Sequence, residues 1–520
     1  MELLQVTLFL LLCAVALGWV ARHFNFPYPI ALVFGGGALG FVPGLPEFPF
    51  DPQFILVLVL PPILYQGALL TSWRDFKANL RPIGLLAIGL VIATTLAVGV
   101  TLKLLIPGCP WSAAFVLGAI VSPPDAVAAT AILSRLNIPR RVVVILEGES
   151  LVNDASGLVL YKFAVAAVLT GTFSLFDAST QFIGVAAGGT AVGIVLGRLF
   201  VGIHRRLGDT FIEVLTSLAV PYVAYILAES IHVSGVLAVV AAGLVRGRYS
   251  PEIVSAEMRI IARSVWNMLV FLLNSLIFML IGLQLSGVIE RLSGTATAGQ
   301  LFLFSSLVSA VAIAVRFAWV YPATYLRYML SPALRARDNP PSKAETFIMG
   351  WCGMRGIVSL AAALALPHFL PDGTPFPQRD LIVFLTFVVI AVTLVLQGLT
   401  LPLLIRRLKV GADWSLHHEH QYARTALGAA ALAAIDDMAQ RENVPQELAV
   451  RVRAEFAEKI ERTFADGPAP AGGGDPARRL RLAAIRAERQ ELIRIWRENC
   501  ISDDILHHIE EDLDYQEAHS

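Results

Sequence analysis

Apolar runs of about 18 to 25 residues recur from the N-terminus to about Leu408. Each is long enough to cross a hydrocarbon core of roughly 30 Å. With 56% hydrophobic and 15% charged residues, the chain is excluded from the ordinary soluble class and reads as an all-α polytopic membrane protein. The four cysteines, Cys13, Cys109, Cys352 and Cys500, have neither metal spacing nor the pattern of a disulfide framework. The N-terminus lacks a basic n-region and a convincing cleavage site, so Leu3–Val20 reads as a retained first span.

Thirteen spans are expected, at 3–21, 28–42, 51–70, 83–106, 111–134, 142–169, 181–203, 210–228, 233–246, 260–288, 300–326, 344–367 and 381–405. Loop charge tests the count independently. Clusters such as Arg74, Lys77 and Arg81, or Arg406, Arg407 and Lys409, recur at alternate span ends; the opposite ends hold only Lys103, Arg291 and Arg379. The positive-inside rule makes the basic ends cytoplasmic, which places the N-terminus outside and the C-terminal tail in the cytoplasm.

Two spans carry breaks. Ser122-Pro123-Pro124-Asp125 interrupts the fifth, where paired prolines remove two backbone donors. Gly350-Trp351-Cys352-Gly353-Met354-Arg355-Gly356 interrupts the twelfth. Each alone is explicable as a kink or a packing notch. If spans 1–6 and 8–13 are two six-helix halves, however, both breaks fall in the fifth span of a half. Such paired breaks point to a transporter's midplane site.

The sixth span holds the costliest residues. Glu147–Lys162 places Glu149, Asn153, Asp154 and Lys162 where the pattern is otherwise apolar, and a carboxylate in hydrocarbon is expensive and usually functional. Asp154 lies about 20 Å from the cytoplasmic end if the helix is regular. Desolvation there favours its protonated form, so it can exchange a proton near neutral pH. Ionised, it is a hard oxygen ligand for a small alkali cation such as Na+. Ser150 is four residues from Asp154, and Glu149 is four from Asn153, so each pair shares a helix face. Glu149 is expected to form a structural ion pair with Arg355. Lys162, Glu229 and Arg316 read as structural, the last two as members of ion pairs.

Beyond Lys409 the apolar signal stops and the charge balance reverses. Residues 1–409 carry 27 Lys+Arg against 19 Asp+Glu, whereas 410–520 carry 13 against 21. The domain reading is therefore a transmembrane part over 1–409 and a cytosolic helical tail over 410–520. The tail's expected helices are Trp414–Gln440, Gln446–Ala465 and a helix or helix pair over Arg478–Asp514, with a flexible linker over Asp466–Ala477. His417, His418 and His420 are close in sequence, but nothing else has ligand spacing, so no metal cofactor is expected.

SPPDAVAAT (122–130), EGESLVNDASG (147–157), HVSGVLAVVAAGL (232–244) and WCGMRGIVS (351–359) resemble the motifs of sodium–proton exchangers. The resemblance is to the electroneutral Asn-Asp branch of the monovalent cation/proton antiporters, bacterial type, and covers Met1 to about Lys409. It implies thirteen transmembrane helices in two inverted six-helix repeats with crossed interrupted helices, and homodimers moving as elevators. By position it makes Asp154 the carboxylate that holds Na+ or a proton. Asn153 becomes its partner, where electrogenic relatives have a second aspartate, and Asp125 lies at the unwound crossing. Arg316 and Glu229 also fall at positions the family fills with charge. Two residues depart from the family pattern. Pro124 stands where many relatives have threonine, and Gln66, in LPPILYQG, stands where several archaeal relatives have a glutamate.

The expected function is secondary antiport of Na+ (or Li+) for H+ at one-to-one stoichiometry in the plasma membrane, serving pH and sodium homeostasis, with K+/H+ exchange as the alternative. The expected partners are these ions, membrane lipids and a second copy of the chain; no nucleic acid and no cofactor are expected. An intramembrane aspartyl hydrolase would need two facing carboxylates sharing a proton and a GxGD pattern within an apolar span, where the chain has none. A channel would need a selectivity filter, and no such repeat is evident.

Overall fold

The computed structural model describes residues 2–24, 27–42, 55–125, 129, 133, 138–172, 174–292, 297–330, 341–410, 414–441, 444–462 and 475–519. Over these the chain is helical, apart from turns and an isolated bridge between Phe369 and Pro375. Most of the SPPDAVAAT motif beyond Asp125 and most of the linker at 466–477 lie outside the described residues.

The membrane part begins with α1 (Glu2–His23), α2 (Tyr28–Gly40), α3 (Leu60–Leu70) and the short α4 (Trp73–Ala78). It continues through α5 (Leu80–Leu105), α6 (Trp111–Val121) and α7 (Arg140–Thr170). Four helices follow: α8 (Leu175–His204), α9 (Thr210–Ser230), α10 (Gly235–Ile253) and α11 (Ala256–Leu292). The last are α12 (Ala298–Leu330), α13 (Lys343–Trp351), α14 (Ile357–Leu364) and α15 (Arg379–Leu408). Every expected span thus has a helix. Among the described residues, seven helices are long and apolar enough to cross a membrane, and four further apolar helices are shorter.

Close backbone approach sorts these helices into two bodies. A methyl group placed on Gly36 of α2 would stand 2.1 Å from the carbonyl oxygen of Met279, and one on Gly282 of α11 would stand 2.2 Å from that of Val33. Gly193 brings α8 equally close to Ala238 of α10, and Gly247 brings α10 against Leu69 of α3. The Tyr222 hydroxyl donates to Leu58 O at 3.0 Å, tying α9 to the residues before α3. With α1, whose Gly18 lies against Phe271, these helices form the first body: α1–α3 and α8–α11.

The second body is α4–α7 with α12–α15. Gly118 of α6 lets that helix press against Thr95 O of α5, and Gly148 of α7 receives Ile83 and Phe76. Trp319 of α12 donates to Leu85 O at 3.0 Å, while α15 packs on α6, α12, α13 and α14 and also reaches α2 of the first body. Among the described glycines, each one that would bring a methyl within 3.0 Å of another helix's carbonyl oxygen does so inside one of these bodies. Each six-helix half of the sequence contributes to both.

The tail forms α16 (Trp414–Arg441), α17 (Gln446–Arg462), α18 (Asp475–Arg497) and α19 (Asp503–His519). The expected third element is a helix pair, joined at Asn499, whose φ is +61°. These helices belong to a second compact unit together with Val201–Thr216 and Arg248–Trp266. Its core includes Leu427, Ile435, Phe456, Ile485, Leu492 and Ile509.

Candidate ion-exchange site

Both breaks are real interruptions of the helical backbone. α6 stops at Val121 because Pro123 and Pro124 follow, and the stretch of chain from Ser122 to Asp125 is non-helical. α13 stops at Trp351, residues 352–356 are non-helical, and α14 restarts at Ile357. The two interruptions touch through the backbone: the N–H of Asp125 donates to Met354 O at 2.7 Å.

The crossing exposes helix ends whose carbonyls and amides lack intrahelical partners, and charged side chains from the opposite segment meet them. Arg355 Nε donates to Val121 O at 3.0 Å, at the C-terminal end of α6. Its other nitrogens donate to Gly353 O and, at 3.3 Å, to Ala312 O, and its backbone N–H donates to Thr393 Oγ1 at 3.1 Å. In return, the Asp125 carboxylate sits at the N-terminal end of α14, so close that a methyl on Gly356 would fall 1.7 Å from Oδ2. A cation at the negative end of one dipole and an anion at the positive end of the other are both favourable.

The expected pairing of Glu149 with Arg355 is corrected by this geometry. Glu149 is held by Arg316, Nη1 to Oε1 at 2.5 Å and Nη2 to Oε2 at 2.8 Å, with both side chains 1% exposed. Arg316 Nε also donates to Met349 O at 3.1 Å, near the C-terminal end of α13. The guanidinium fork matches a carboxylate in two parallel hydrogen bonds, whereas Arg355 has its N–H groups on main-chain carbonyls. Arg316, read from sequence as secondary, is therefore a principal member of the core.

α7 brings the remaining residues to the crossing. Asn153, fully buried, donates from Nδ2 to Pro124 O at 2.8 Å. Pro124 thus replaces the threonine expected of relatives with a residue whose carbonyl is already engaged. Gly157, one turn on, takes Pro123 against its Cα. Asp154 is 7% exposed and close enough to Asp125 for their charges to interact. Ser150 is half-buried one turn before it.

The other sequence candidates lie apart from the crossing. Gln66 turns its amide to Asn267 Oδ1 of α11, at 2.9 Å. Lys162 pairs with Glu229 at 3.1 Å. Thr393 is the residue that sequence reasoning missed: a buried threonine in an apolar helix gives no signal until the chain it caps is known. Among the described residues, no group of three or more His, Cys, Asp or Glu is placed to hold a metal ion, and the side chain of His417 lies outside them.

A buried carboxylate flanked by an amide and by two helix breaks can hold a proton or a small cation. The match to the family model decides what this arrangement belongs to: the description "sodium/hydrogen exchanger, transmembrane" fits residues 8–407. The chain belongs to the sodium/hydrogen exchanger family. It is thus a multi-pass membrane transporter. A protein of Mycobacterium tuberculosis named an uncharacterized Na(+)/H(+) exchanger is 35% identical over 522 residues, spanning 99% of this chain and 95% of its own. The sodium, potassium, lithium and rubidium/H(+) antiporter of Bacillus subtilis is 34% identical, over 98% of this chain and 77% of its own. The fold is that of the sodium proton antiporter MjNhaP1 from Methanocaldococcus jannaschii, with a TM-score of 0.63, 21% identity, and coverage of 78% of this chain and 99% of that one.

Proposed function

We propose that this exchanger moves Na+ outward against H+ at one-to-one stoichiometry, with Asp154 as the single carboxylate that holds either ion in turn. The observation that carries the reading is the environment of Asp154: buried, beside the crossing of two interrupted helices, with Asn153 as its sequence neighbour. A neutral amide at 153 adds no second titrating group, so one proton exchanges for one monovalent cation and no net charge moves. The site residues in this reading are Asp154, Asn153, Asp125 and Ser150. Na+ passes through as substrate.

The membrane architecture proposed with it is thirteen spans over 1–409, N-terminus outside, cytosolic tail over 410–520, and a homodimer in the plasma membrane. The first body is the scaffold, and the second body slides past it to expose Asp154 to either side. Sliding of packed bodies is an established mode of domain movement.

Purified protein in liposomes carrying an acidic interior tests the reading. Adding Na+ outside dissipates the pH gradient, and Asp154→Asn abolishes the response; a retained response removes Asp154 from the mechanism. Electroneutrality is read from the absence of an effect when a membrane potential is clamped with valinomycin and K+. A broader ion range is the second reading, favoured by the name of the Bacillus subtilis relative, which includes potassium, lithium and rubidium. Exchange rates for Na+, Li+, K+ and Rb+ in the same liposomes separate the two.

A further inference from the structure

We infer that the ion pair between Lys162 and Glu229 is a latch between the two bodies, closed in the arrangement seen here and parted when Asp154 is carried to the other side. The inference rests on the antiport reading above.

Lys162 lies eight residues beyond Asp154 on α7, about 12 Å along the axis, so the two travel together. Its Nζ is 3.1 Å from Glu229 Oε2 and 3.4 Å from Oε1. Glu229 belongs to the first body and is held there. Its Oε1 accepts the N–H of Gly235 at 3.2 Å, at the start of α10, and a methyl on Gly235 would press its Cγ at 3.0 Å. The turn between α9 and α10 is itself pinned to α8, since the N–H of Ser234 donates to Val185 O at 3.2 Å. The carboxylate is therefore a fixed post, and the ammonium arrives on the helix that bears the exchanging acid.

The contrast with the other ion pair of α7 gives the function. Glu149 and Arg316 lie inside one body, each 1% exposed, and a buried pair is costly to break. The Lys162 and Glu229 side chains are 63% and 35% exposed, so parting them leaves no charge enclosed within a packed protein core. One pair is suited to persist through the cycle, the other to open and close within it. At Gly67, where α3 faces α7, a methyl would meet only the Leu151 side chain, at 3.4 Å, so the two backbones do not interlock there. A boundary made of side chains permits sliding, and a charge pair across it biases the resting position without arresting movement.

Two measurements test the latch in liposomes. In the first, Lys162→Glu and Glu229→Lys are compared singly and together. Each single variant shifts the apparent KM for Na+ by about threefold, the scale of an exposed pair, and the double reversal returns it to the wild-type value; additive shifts overturn the proposal. In the second, Lys162→Cys and Glu229→Cys are combined in protein carrying Cys13→Ala and Cys500→Ser, and bridged with a short cleavable bis-thiol reagent. Bridging stops exchange and cleavage restores it. Undiminished exchange in fully bridged protein overturns the latch, as does a failure to bridge, since the two positions would then not be adjacent. Absence of exchange in the unaltered protein would instead sink the antiport reading, so the two failures are distinguishable.

Discussion

Arg316 clasps Glu149 through both carboxylate oxygens, at 2.5 and 2.8 Å, in a part of the molecule where neither side chain is more than 1% exposed. The pair joins α7 to α12, and through Met349 O it also fixes the end of α13. Removing one partner leaves the other charge buried and uncompensated, a loss of about 3–5 kcal/mol. Glu149→Gln and Arg316→Gln are each expected to lower the melting temperature of the detergent-solubilised protein sharply, and combining them to cost much less than the sum. Thermal melts of the three variants give the coupling, and an additive result would mean that the pair does not act as a unit.

Arg355 carries a different expectation, because its nitrogens meet carbonyl oxygens rather than a carboxylate. The fork reaches Val121, Gly353 and Ala312 at once. Lysine keeps the charge but offers a compact point donor without that geometry. Arg355→Lys is therefore expected to reduce exchange at least ~10-fold, equivalent to about 1.4 kcal/mol, although the charge is conserved. Exchange assays on Arg355→Lys and Arg355→Gln distinguish the cases; a fully active lysine variant would mean that charge alone suffices.

Gly356 permits the contact between Asp125 and the start of α14. A methyl there would sit 1.7 Å from Asp125 Oδ2 and 2.6 Å from its Cβ, so the carboxylate must withdraw and the chain at Asp125 must shift with it. The loss of that dipole interaction is worth about 0.3–1 kcal/mol, up to ~2 when partly buried, and the displaced chain adds to the cost. Gly356→Ala is expected to exchange Na+ poorly and to melt below the wild type. Normal exchange with a normal melting temperature would show that the position of the Asp125 carboxylate is unimportant.

Much of this arrangement was legible in the sequence, and the reasons for the rest are physical. Span positions follow from runs of apolar residues, and the breaks follow from Pro123, Pro124 and the Gly350–Gly356 segment, because these effects are local to the chain. Asp154 stood out because an acid amid apolar residues is conspicuous. Pairing is not local. Glu149 had two buried arginines to choose from, and the nearer-looking argument favoured Arg355 because it sits in a break. The choice of Arg316 depends on which helix α7 packs against, 167 residues away in the chain. The partition into two bodies is implied by the family resemblance, as a dimerisation domain and a mobile core domain, but not by the residues themselves, since a glycine that admits a neighbour's backbone reads the same as one that faces lipid.

The tail offers a pH-dependent expectation. In the second unit, Arg259 donates through Nε and Nη2 to Asp514 at 2.7 Å each, and its Nη1 lies 3.4 Å from Glu510. Arg489 reaches Asp514 at 2.9 Å and Glu517 at 2.8 Å. Burial alone would push the Glu510 carboxyl up, but its hydrogen bond to His507 and the charges of Arg259, His507 and Arg489 outweigh burial and hold it below the usual carboxylate range. A carboxyl depressed in the folded state stabilises that state above its unfolded titration, and the contribution is lost as pH falls through the folded one. The tail unit is therefore expected to be fully held at neutral pH and to loosen on acidification below the usual glutamate range. Limited proteolysis of the full-length protein across a pH series, read for cleavage within α19, follows the loosening. Glu510→Gln should be cleaved faster than wild type at neutral pH, with the difference vanishing in acid. An equal rate for both proteins at neutral pH would show that the Glu510 charge does not hold α19 in place.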